Sequence, residues 1–231
     1  MFVVIEGPNG SGKTTLKNKF KKDGIITLSS PAETPLSSSL RNMCRGVGEW
    51  SSLDKFVKML LFSAARYDEF INIVLANKDL LVIADRWWTS TYVYQCILEG
   101  IPVPHLEFTV HPEEKIDLCI ILKVDAEKSF KRSQEERQQN KEHSGCTWTK
   151  EKKQFEKISN IYYNELPKYL EEKNIKTVFI DVNDLNEDEV YQKAGELILF
   201  KLFQNYCDDT NNKWRHYLAN SENRTGIKNK I

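Results

Sequence analysis

The chain has 231 residues, of which 40% are hydrophobic and 29% are charged, as is typical of a soluble globular protein. Lys+Arg and Asp+Glu both number 33, and this balance argues against a nucleic-acid or membrane partner recognised through overall charge. The length suits one α/β domain, the five scattered cysteines predict reduced thiols of a cytoplasmic protein, and the apolar runs are too short to span a bilayer.

The first predicted element is a β-strand at the apolar run 2–5. Residues 7–14 follow and read Gly-Pro-Asn-Gly-Ser-Gly-Lys-Thr, the complete phosphate-binding pattern G-x-x-x-x-G-K-[ST], ahead of a helical stretch at 16–22. In this strand–loop–helix context, backbone N–H groups and the helix N-terminus surround anionic oxygens. We expect Lys13 to reach the outer phosphates of a nucleoside triphosphate and Thr14 to bind Mg²⁺. The expected triphosphate contacts are Gly7, Asn9, Gly10, Ser11, Gly12, Lys13, Thr14 and Thr15.

Strand and helix patterns then alternate, as a parallel α/β sheet requires. The further predicted strands are 24–28, 80–84, 118–124 and 177–181. The further predicted helices are 36–45, 53–76, 89–98, 126–139, 149–173 and 187–204. The pattern predicts a P-loop NTPase fold, a three-layer α/β/α sandwich with a mostly five-stranded parallel sheet and a helical lid. We expect a catalytic domain over 1–207, with the lid at about 132–149, and a polar tail over 208–231.

Asp85 and Arg86 directly follow the third predicted strand. Ligands of open α/β sheets collect at the carboxyl ends of the strands, so both side chains are expected beside the phosphate loop. There Asp85 can join the Mg²⁺ shell, and Arg86 offers a bidentate fork to a phosphate. The alternative is that Asp85 and Arg86 take part only in a salt bridge at the end of the strand and bind no ligand.

Three segments together resemble the thymidylate kinase family. They are residues 2–15, residues 61–66 (Leu-Phe-Ser-Ala-Ala-Arg) and residues 85–95 (Asp-Arg-Trp-Trp-Thr-Ser-Thr-Tyr-Val-Tyr-Gln), and the likeness continues to about Asp181. The resemblance implies transfer of the γ-phosphoryl group of ATP to deoxythymidine monophosphate (dTMP), with Mg²⁺. It also implies a homodimer.

The resemblance further assigns roles to residues of the acceptor site. Phe62 stacks on thymine, and Arg66, one helical turn later, bonds the base carbonyl; the alternatives are core packing and a solvated salt bridge. Arg86 holds the acceptor monophosphate, and Tyr94 crowds the sugar 2′ position. The implied acceptor-binding residues are Asn9, Phe62, Arg66, Arg86, Tyr94 and, near the base edge, Thr91 and Gln95.

Catalysis of this transfer needs no general base, because an acceptor phosphate is already an anionic nucleophile. Arginines that close over the transferring phosphoryl group stabilise its charge. Some family members carry such an Arg inside the phosphate loop, but residues 8–11 contain none here. We therefore expect Arg132 and Arg137 to supply it; the alternative is that both are ordinary solvated charges. The predicted catalytic set is Lys13, Arg86, Arg132 and Arg137.

Two departures from the family pattern leave the acceptor open. The family carries Asp where Asn9 stands, and Arg-Glu-Pro-Gly where residues 29–32 read Ser-Ser-Pro-Ala. An amide at position 9 could tolerate a 3′-phosphoryl substituent that a carboxylate would repel. One alternative acceptor is thus a 5-hydroxymethyl-type deoxyuridine nucleotide, free or within DNA, and only this alternative involves nucleic acid. A deoxynucleoside kinase is another; it needs a carboxylate base, for which Glu33 is the candidate.

Overall fold

The central layer of the molecule is a five-stranded, all-parallel sheet with the strand order β2-β3-β1-β4-β5. The computed structural model describes residues 1–44, 53–139 and 151–225. The strands are β1 (Phe2–Glu6), β2 (Ile26–Ser29), β3 (Val82–Asp85), β4 (Leu118–Lys123) and β5 (Thr177–Asp181). Because β1 is the middle strand, the loop that follows it opens at the centre of the carboxyl edge, where ligands of such sheets bind. The predicted parallel sheet is confirmed.

Helices connect the strands, as parallel pairing requires. In the described residues they are α1 (Lys13–Lys22), α2 (Pro35–Cys44), α3 (Lys55–Glu69), α4 (Trp88–Thr91), α5 (Val103–Thr109), α6 (Ala126–Gln139), α7 (Lys152–Asn160), α8 (Leu166–Glu172) and α9 (Glu187–Thr225). Short π-helical segments continue three of them, at Phe70–Val74 after α3, Tyr92–Leu98 after α4 and Ile161–Glu165 after α7. Such segments shift the helical register, so they change which side chains face the core.

The single helices predicted over 53–76, 89–98 and 149–173 are therefore each divided in the structure, and two further differences concern α5 and α9. Helix α5 was not predicted, because Gly100, Pro102 and Pro104 suggest a loop. Proline is tolerated in the first turn of a helix, where its missing N–H costs no hydrogen bond, and α5 uses its prolines in this way. Helix α9 continues to Thr225, well beyond the predicted end at Gln204.

The central strands of the sheet are buried on both faces. In β1, β3 and β4 nearly every side chain is inaccessible to solvent, including Val3, Ile83 and Ile120. Near-continuous apolar strands of this kind are typical of parallel sheets covered by helices. Each fully buried Val, Leu or Ile contributes about 1.5–3 kcal/mol relative to an exposed one. A core of this kind holds the loops at the carboxyl edge of the sheet in fixed positions.

The chain divides by its internal contacts into two compact units, residues 1–194 and 195–231. The first unit contains the whole sheet. The second is helical as far as Thr225. Within the described ranges, we find no helix whose length and apolar character would let it cross a bilayer.

Candidate active site

The phosphate loop lies between β1 and α1 and packs directly against α6. Gly10 has φ +74°, and a Cβ atom there would overlap the backbone carbonyl oxygen of Ser129 on α6. The same added atom would lie 3.3 Å from Cβ of Arg132. Ser129 also donates its hydroxyl to the carbonyl of Asn9. Only glycine fits this close approach, and Arg132, one of the predicted catalytic residues, therefore lies next to the loop.

Lys13 begins α1 and folds back over the loop. Its Nζ donates to the carbonyl oxygen of Pro8 at 2.7 Å and to Oγ of Ser11 at 3.2 Å. Burial, with the neighbouring charge of Arg86 adding to it, lowers the pKa of Lys13 to about 7. Gly12 precedes the helix with φ 90° and offers no side-chain cap, so the first-turn N–H groups of α1 are not capped by it. Uncapped N–H groups and a buried lysine together form an anion site.

Thr14 and Asp85 provide adjacent oxygen ligands beside the loop. Thr14 Oγ1 donates to Asp85 Oδ2 at 2.7 Å. Asp85 is the last residue of β3 and is in register with Ile5 of β1 and Ser29 of β2, which fixes it at the carboxyl edge. A hydroxyl and a carboxylate are hard oxygen donors, and Mg²⁺ in nucleotide sites uses one or two such ligands together with substrate phosphates. These residues therefore fit the predicted cation.

Arg86 joins the phosphate loop to two other elements. Its Nη2 donates to Oδ1 of Asn9 at 2.6 Å, and its Nη1 donates to the Tyr162 hydroxyl at 2.7 Å and to Ser90 Oγ at 3.1 Å. Glu6 Oε2 lies 3.6 Å from Nη1. The backbone of Arg86 has φ 73°, a conformation that non-glycine residues rarely adopt. Strain of this kind persists only where surrounding contacts maintain it, as they do here.

Glu6 is the fully buried counter-charge of this network. Its carboxylate accepts hydrogen bonds from Thr89 Oγ1 at 2.5 Å and from the Trp87 backbone N–H at 3.3 Å. Ser90 Oγ contacts both carboxylate oxygens, at 2.9 and 3.0 Å. Glu6 thereby fixes the turn that follows β3, and with it the position of Arg86.

Glu6, Ser90 and Tyr162 are site residues that the sequence motifs did not indicate. Glu6 and Ser90 lie inside the segments that carry the family resemblance, so their positions were a usable signal. Tyr162 had no such signal. It lies in the π-helical segment after α7, and in a regular amphipathic helix it is indistinguishable from the core residues around it.

Arg66 lies on the predicted helix, α3, and is almost completely buried. Its Nε donates to Glu114 Oε2 at 2.9 Å, and its Nη2 donates to the Thr109 carbonyl oxygen at 2.7 Å. Burial lowers the pKa of Arg66 from its ordinary value, while Glu114 opposes that shift. Its Nη1 is buried and has no hydrogen-bond partner among the described residues. A buried donor left free in this way marks a place where a ligand acceptor would be favourable.

The other predicted acceptor residues lie on α3 and on the segment after β3. Phe62 is half-buried on α3, one turn before Arg66. Thr91 and Gln95 are buried, and Tyr94 is half-buried with its ring centre 5.7 Å from Cζ of Arg86. The structure therefore brings Tyr94 next to Arg86. Arg137 lies on α6, but its side chain and residues 140–150 of the predicted lid are outside the described residues.

A cavity of about 470 Å³ opens at the carboxyl ends of β4 and β5. Residues lining it include Lys123, Asp125, Tyr163, Asp181 and Asn183. It has both polar and apolar walls, and β4 is the immediate neighbour of β1, which leads into the phosphate loop. The sequence analysis did not predict this cavity, because its residues come from segments far apart in the chain.

Comparison with known proteins adds independent information. The family model described as "Thymidylate kinase" matches residues 5–194. The thymidylate kinase of Buchnera aphidicola subsp. Baizongia pistaciae is 38% identical over 104 residues, 41% of this chain and 49% of that protein. That match therefore spans about half the length of the relative.

Other similar proteins match over more of their length. The thymidylate kinase of Chlamydia felis is 30% identical over 179 residues, which are 72% of this chain and 80% of that protein. A crystal structure of thymidylate kinase from Ehrlichia chaffeensis has a TM-score of 0.62 at 20% identity, covering 86% of this chain and 98% of that one. At this level of identity the structural likeness supports the fold.

Proposed function

Because the chain belongs to the thymidylate kinase family, we propose that it transfers the γ-phosphoryl group of ATP to dTMP, forming ADP and deoxythymidine diphosphate. The observation that carries the proposal is the contact between Arg86 Nη2 and Asn9 Oδ1 at 2.6 Å. Asn9 belongs to the loop suited to the triphosphate, and Arg86 has the fork suited to a monophosphate. The two anions would therefore lie side by side, as phosphoryl transfer requires.

The donor is bound mainly by main-chain groups in this proposal. Backbone N–H groups of residues 9–14, including the start of α1, surround the phosphates, and Lys13 exchanges its contacts with Pro8 and Ser11 for the outer phosphates. The position of Arg132 next to Gly10 supports its role beside the transferring group. The cavity at the ends of β4 and β5 has the size and location for the donor nucleoside.

Thr14 and Asp85 would hold Mg²⁺, and their contact at 2.7 Å supports this assignment. When bound there, Mg²⁺ would neutralise part of the negative charge of the donor phosphates.

The acceptor is bound mainly by side chains. The free Nη1 of Arg66 would donate to a carbonyl of the thymine base, which removes a cost of about 1–3 kcal/mol for a buried unsatisfied group. Phe62, one turn away on α3, would stack on the base. Tyr94 beside Arg86 would lie at the sugar, between base and phosphate.

The chemical step then needs positioning and charge neutralisation. A phosphate oxygen of dTMP attacks the γ-phosphorus, the bond from the γ-phosphorus to the bridging oxygen breaks, and that oxygen leaves with ADP. Lys13, Arg86 and Arg132, with Arg137 as a further candidate, stabilise the charge spread over the transferring group. No proton has to be removed from the nucleophile.

Family membership does not favour a nucleoside or modified deoxyuridine acceptor. Glu33, the candidate base for a nucleoside kinase, accepts a hydrogen bond from the Ser29 backbone N–H at 2.7 Å. Oδ1 of Asn9 accepts a hydrogen bond from Arg86. A sugar 3′ substituent that contacted Asn9 through the same oxygen would have to share it with Arg86.

An acceptor panel tests the proposal. ADP release from Mg²⁺ATP would be measured with dTMP, other deoxynucleoside monophosphates, thymidine, 5-hydroxymethyl-deoxyuridylate and DNA containing that base. We expect the highest kcat/KM with dTMP. Faster turnover of thymidine or of the modified DNA would contradict the assignment.

We also propose that the protein is a cytoplasmic homodimer. Exposed apolar side chains on α3 (Phe56, Val57 and Leu60) support a protein–protein contact, and the free thiols of Cys44, Cys96, Cys119 and Cys207 suit a reducing compartment. Sedimentation of the wild type beside Leu60→Glu tests the dimer. We expect the substitution to shift dimer to monomer, and a monomeric wild type would contradict it.

A further inference from the structure

Lys17 is a buried cation with little compensation. It lies on α1, and only 7% of its surface is exposed. Its Nζ donates one hydrogen bond, to Ser29 Oγ at 2.5 Å, and no carboxylate of the described residues lies within ion-pair distance of it. An ammonium has three N–H donors. Burying such a charge without an anionic partner is costly.

The position of Lys17 places its ammonium at the ligand-binding edge of the sheet. Ser29, its partner, is the last residue of β2 and is in register with Asp85. The Ser30 N–H donates to the Asp85 carbonyl oxygen at 3.1 Å, which closes this corner. Lys17 also follows Lys13 by one helical turn, so both side chains project from the same face of α1. That face is buried against the sheet edge, whereas Lys21 is exposed.

The carboxylates near this corner already have other donors. Asp85 accepts from Thr14, and Glu33 accepts from the Ser29 N–H. Glu69 accepts from the backbone N–H groups of Ala32 and Glu33, at 2.6 and 2.9 Å. None of these carboxylates forms an ion pair with Lys17 within the described ranges.

Arg86, which also lies at this edge, has most of its donors engaged. Its Nη1 and Nη2 bond Tyr162, Ser90 and Asn9, so the guanidinium holds the loop as much as it faces a ligand. An acceptor phosphate carries close to two negative charges, which one partly engaged guanidinium does not neutralise alone. Lys17 uses one of its three donors, on Ser29, in the part of the chain that the structure describes, and so has capacity for a further acceptor.

We propose that Lys17 binds the 5′-phosphate of the acceptor nucleotide, opposite Arg86, with Ser29 holding the ammonium in place. This inference rests on the proposed function and identifies a second cation for the acceptor phosphate. A compact ammonium supplies charge, while the guanidinium supplies directional hydrogen bonds. Lys17 thus favours monophosphates over nucleosides.

The test compares two ligands that differ only in the phosphate. Dissociation constants of dTMP and thymidine would be measured by calorimetry for the wild type, Lys17→Met, Lys17→Arg and the exposed control Lys21→Met. We expect Lys17→Met to weaken dTMP binding about 10- to 100-fold, the range of one charge-assisted hydrogen bond, and to leave thymidine binding unchanged. Lys17→Arg restores part of the loss, and Lys21→Met resembles the wild type.

Unchanged dTMP binding in Lys17→Met, or equal weakening of both ligands, would overturn the inference, because a purely structural role affects both alike. If that variant fails to fold, a crystal structure of the wild type with dTMP decides. Hydrogen-bond contact between Nζ and a phosphate oxygen supports the inference, and a phosphate out of reach of Nζ overturns it.

If the wild type binds no dTMP, the proposed function fails and this inference fails with it. If the wild type phosphorylates dTMP while Lys17→Met binds it equally well, only the inference fails.

Discussion

On the donor side of the site, the groups suited to phosphate are main-chain N–H groups of residues 9–14, held by glycine geometry and by the packing of α6 on the loop. On the acceptor side, the groups suited to the base and the phosphate are buried or partly buried side chains, each held by a distant partner. Arg66 depends on Glu114, and Arg86 depends on Glu6 and Tyr162. The donor phosphates are therefore bound by main-chain groups of one short segment. The acceptor is bound by side chains from segments that are far apart in the chain.

This contrast predicts that Arg86, where the two sides meet, is the most sensitive position. Arg86→Met leaves Glu6 buried without its counter-charge and releases Asn9 and Tyr162. We expect a loss of about 3 kcal/mol in the free energy of unfolding. We also expect kcat to fall about 10³-fold. Chemical denaturation and steady-state kinetics would measure these effects, with Arg86→Lys as the charge-preserving control. If Arg86→Met had the same free energy of unfolding as the wild type, the Glu6–Arg86 ion pair would not contribute to stability.

A substitution that changes the backbone of the phosphate loop should affect the binding of ATP and leave the binding of dTMP unchanged. Gly10→Ala places a Cβ against the Ser129 carbonyl at φ +74°, so the loop and α6 must move apart. We expect KM for ATP to rise at least about 10-fold, the effect of displacing a loop that positions reacting groups, while the dissociation constant of dTMP stays unchanged.

Gly24→Ala is the matched control for Gly10→Ala. Gly24 has φ +81°, but nothing lies within 4 Å of an added Cβ, so this variant reports backbone strain without the clash. It should cost about 1 kcal/mol of stability and leave both substrates unaffected. Equal kinetic effects of the two variants would contradict the role given to the Gly10–Ser129 contact.

A substitution in the acceptor-side network should change base discrimination. Arg66→Ala removes the free Nη1 donor and the pairing with Glu114. We expect the preference for dTMP over deoxycytidine monophosphate, measured as the ratio of kcat/KM values, to fall about 10- to 100-fold. The KM for ATP should stay near the wild-type value. An unchanged preference would remove Arg66 from base recognition.

The smallest expected effect is the uptake of a proton by Lys13 when ATP binds. The pKa of Lys13 is about 7 in the free protein, below its ordinary 10.5, so the unfolded chain binds more protons between these values and stability should rise with pH across this window. Bound phosphates favour the ammonium form. ATP binding at about pH 8 should therefore take up a fraction of one proton.

Calorimetry of ATP binding in buffers of different ionisation enthalpy would measure this uptake. Lys13→Met should abolish it. Equal uptake in that variant would assign the proton to another group.

The sequence was most informative where local pattern determines structure. The phosphate loop, the five strands and α6, which begins at its predicted residue Ala126, follow from apolar runs and turn residues. Helix α5 and the three π-helical segments did not follow, because their formation depends on tertiary packing that overrides local signals.

The same division applies to the site. Lys13, Thr14 and Asp85 were predicted to lie together, and the Thr14–Asp85 contact places them at one edge. Glu114 and Tyr162 were not predicted, because each meets its arginine through long-range packing between segments that share no motif. Lys17 was also missed, since one lysine among several on a basic helix gives no sign that it is buried beside the sheet edge.

The central claim is that the donor and acceptor phosphates are bound next to each other. Its most direct test is the dissociation constant of a conjugate in which adenosine and thymidine are joined through their 5′ positions by a short polyphosphate chain. Adjacent sites predict that this conjugate binds at least about 10²-fold more tightly than ATP or dTMP alone, because the second contact becomes intramolecular. Affinity no greater than that of ATP alone would contradict the account.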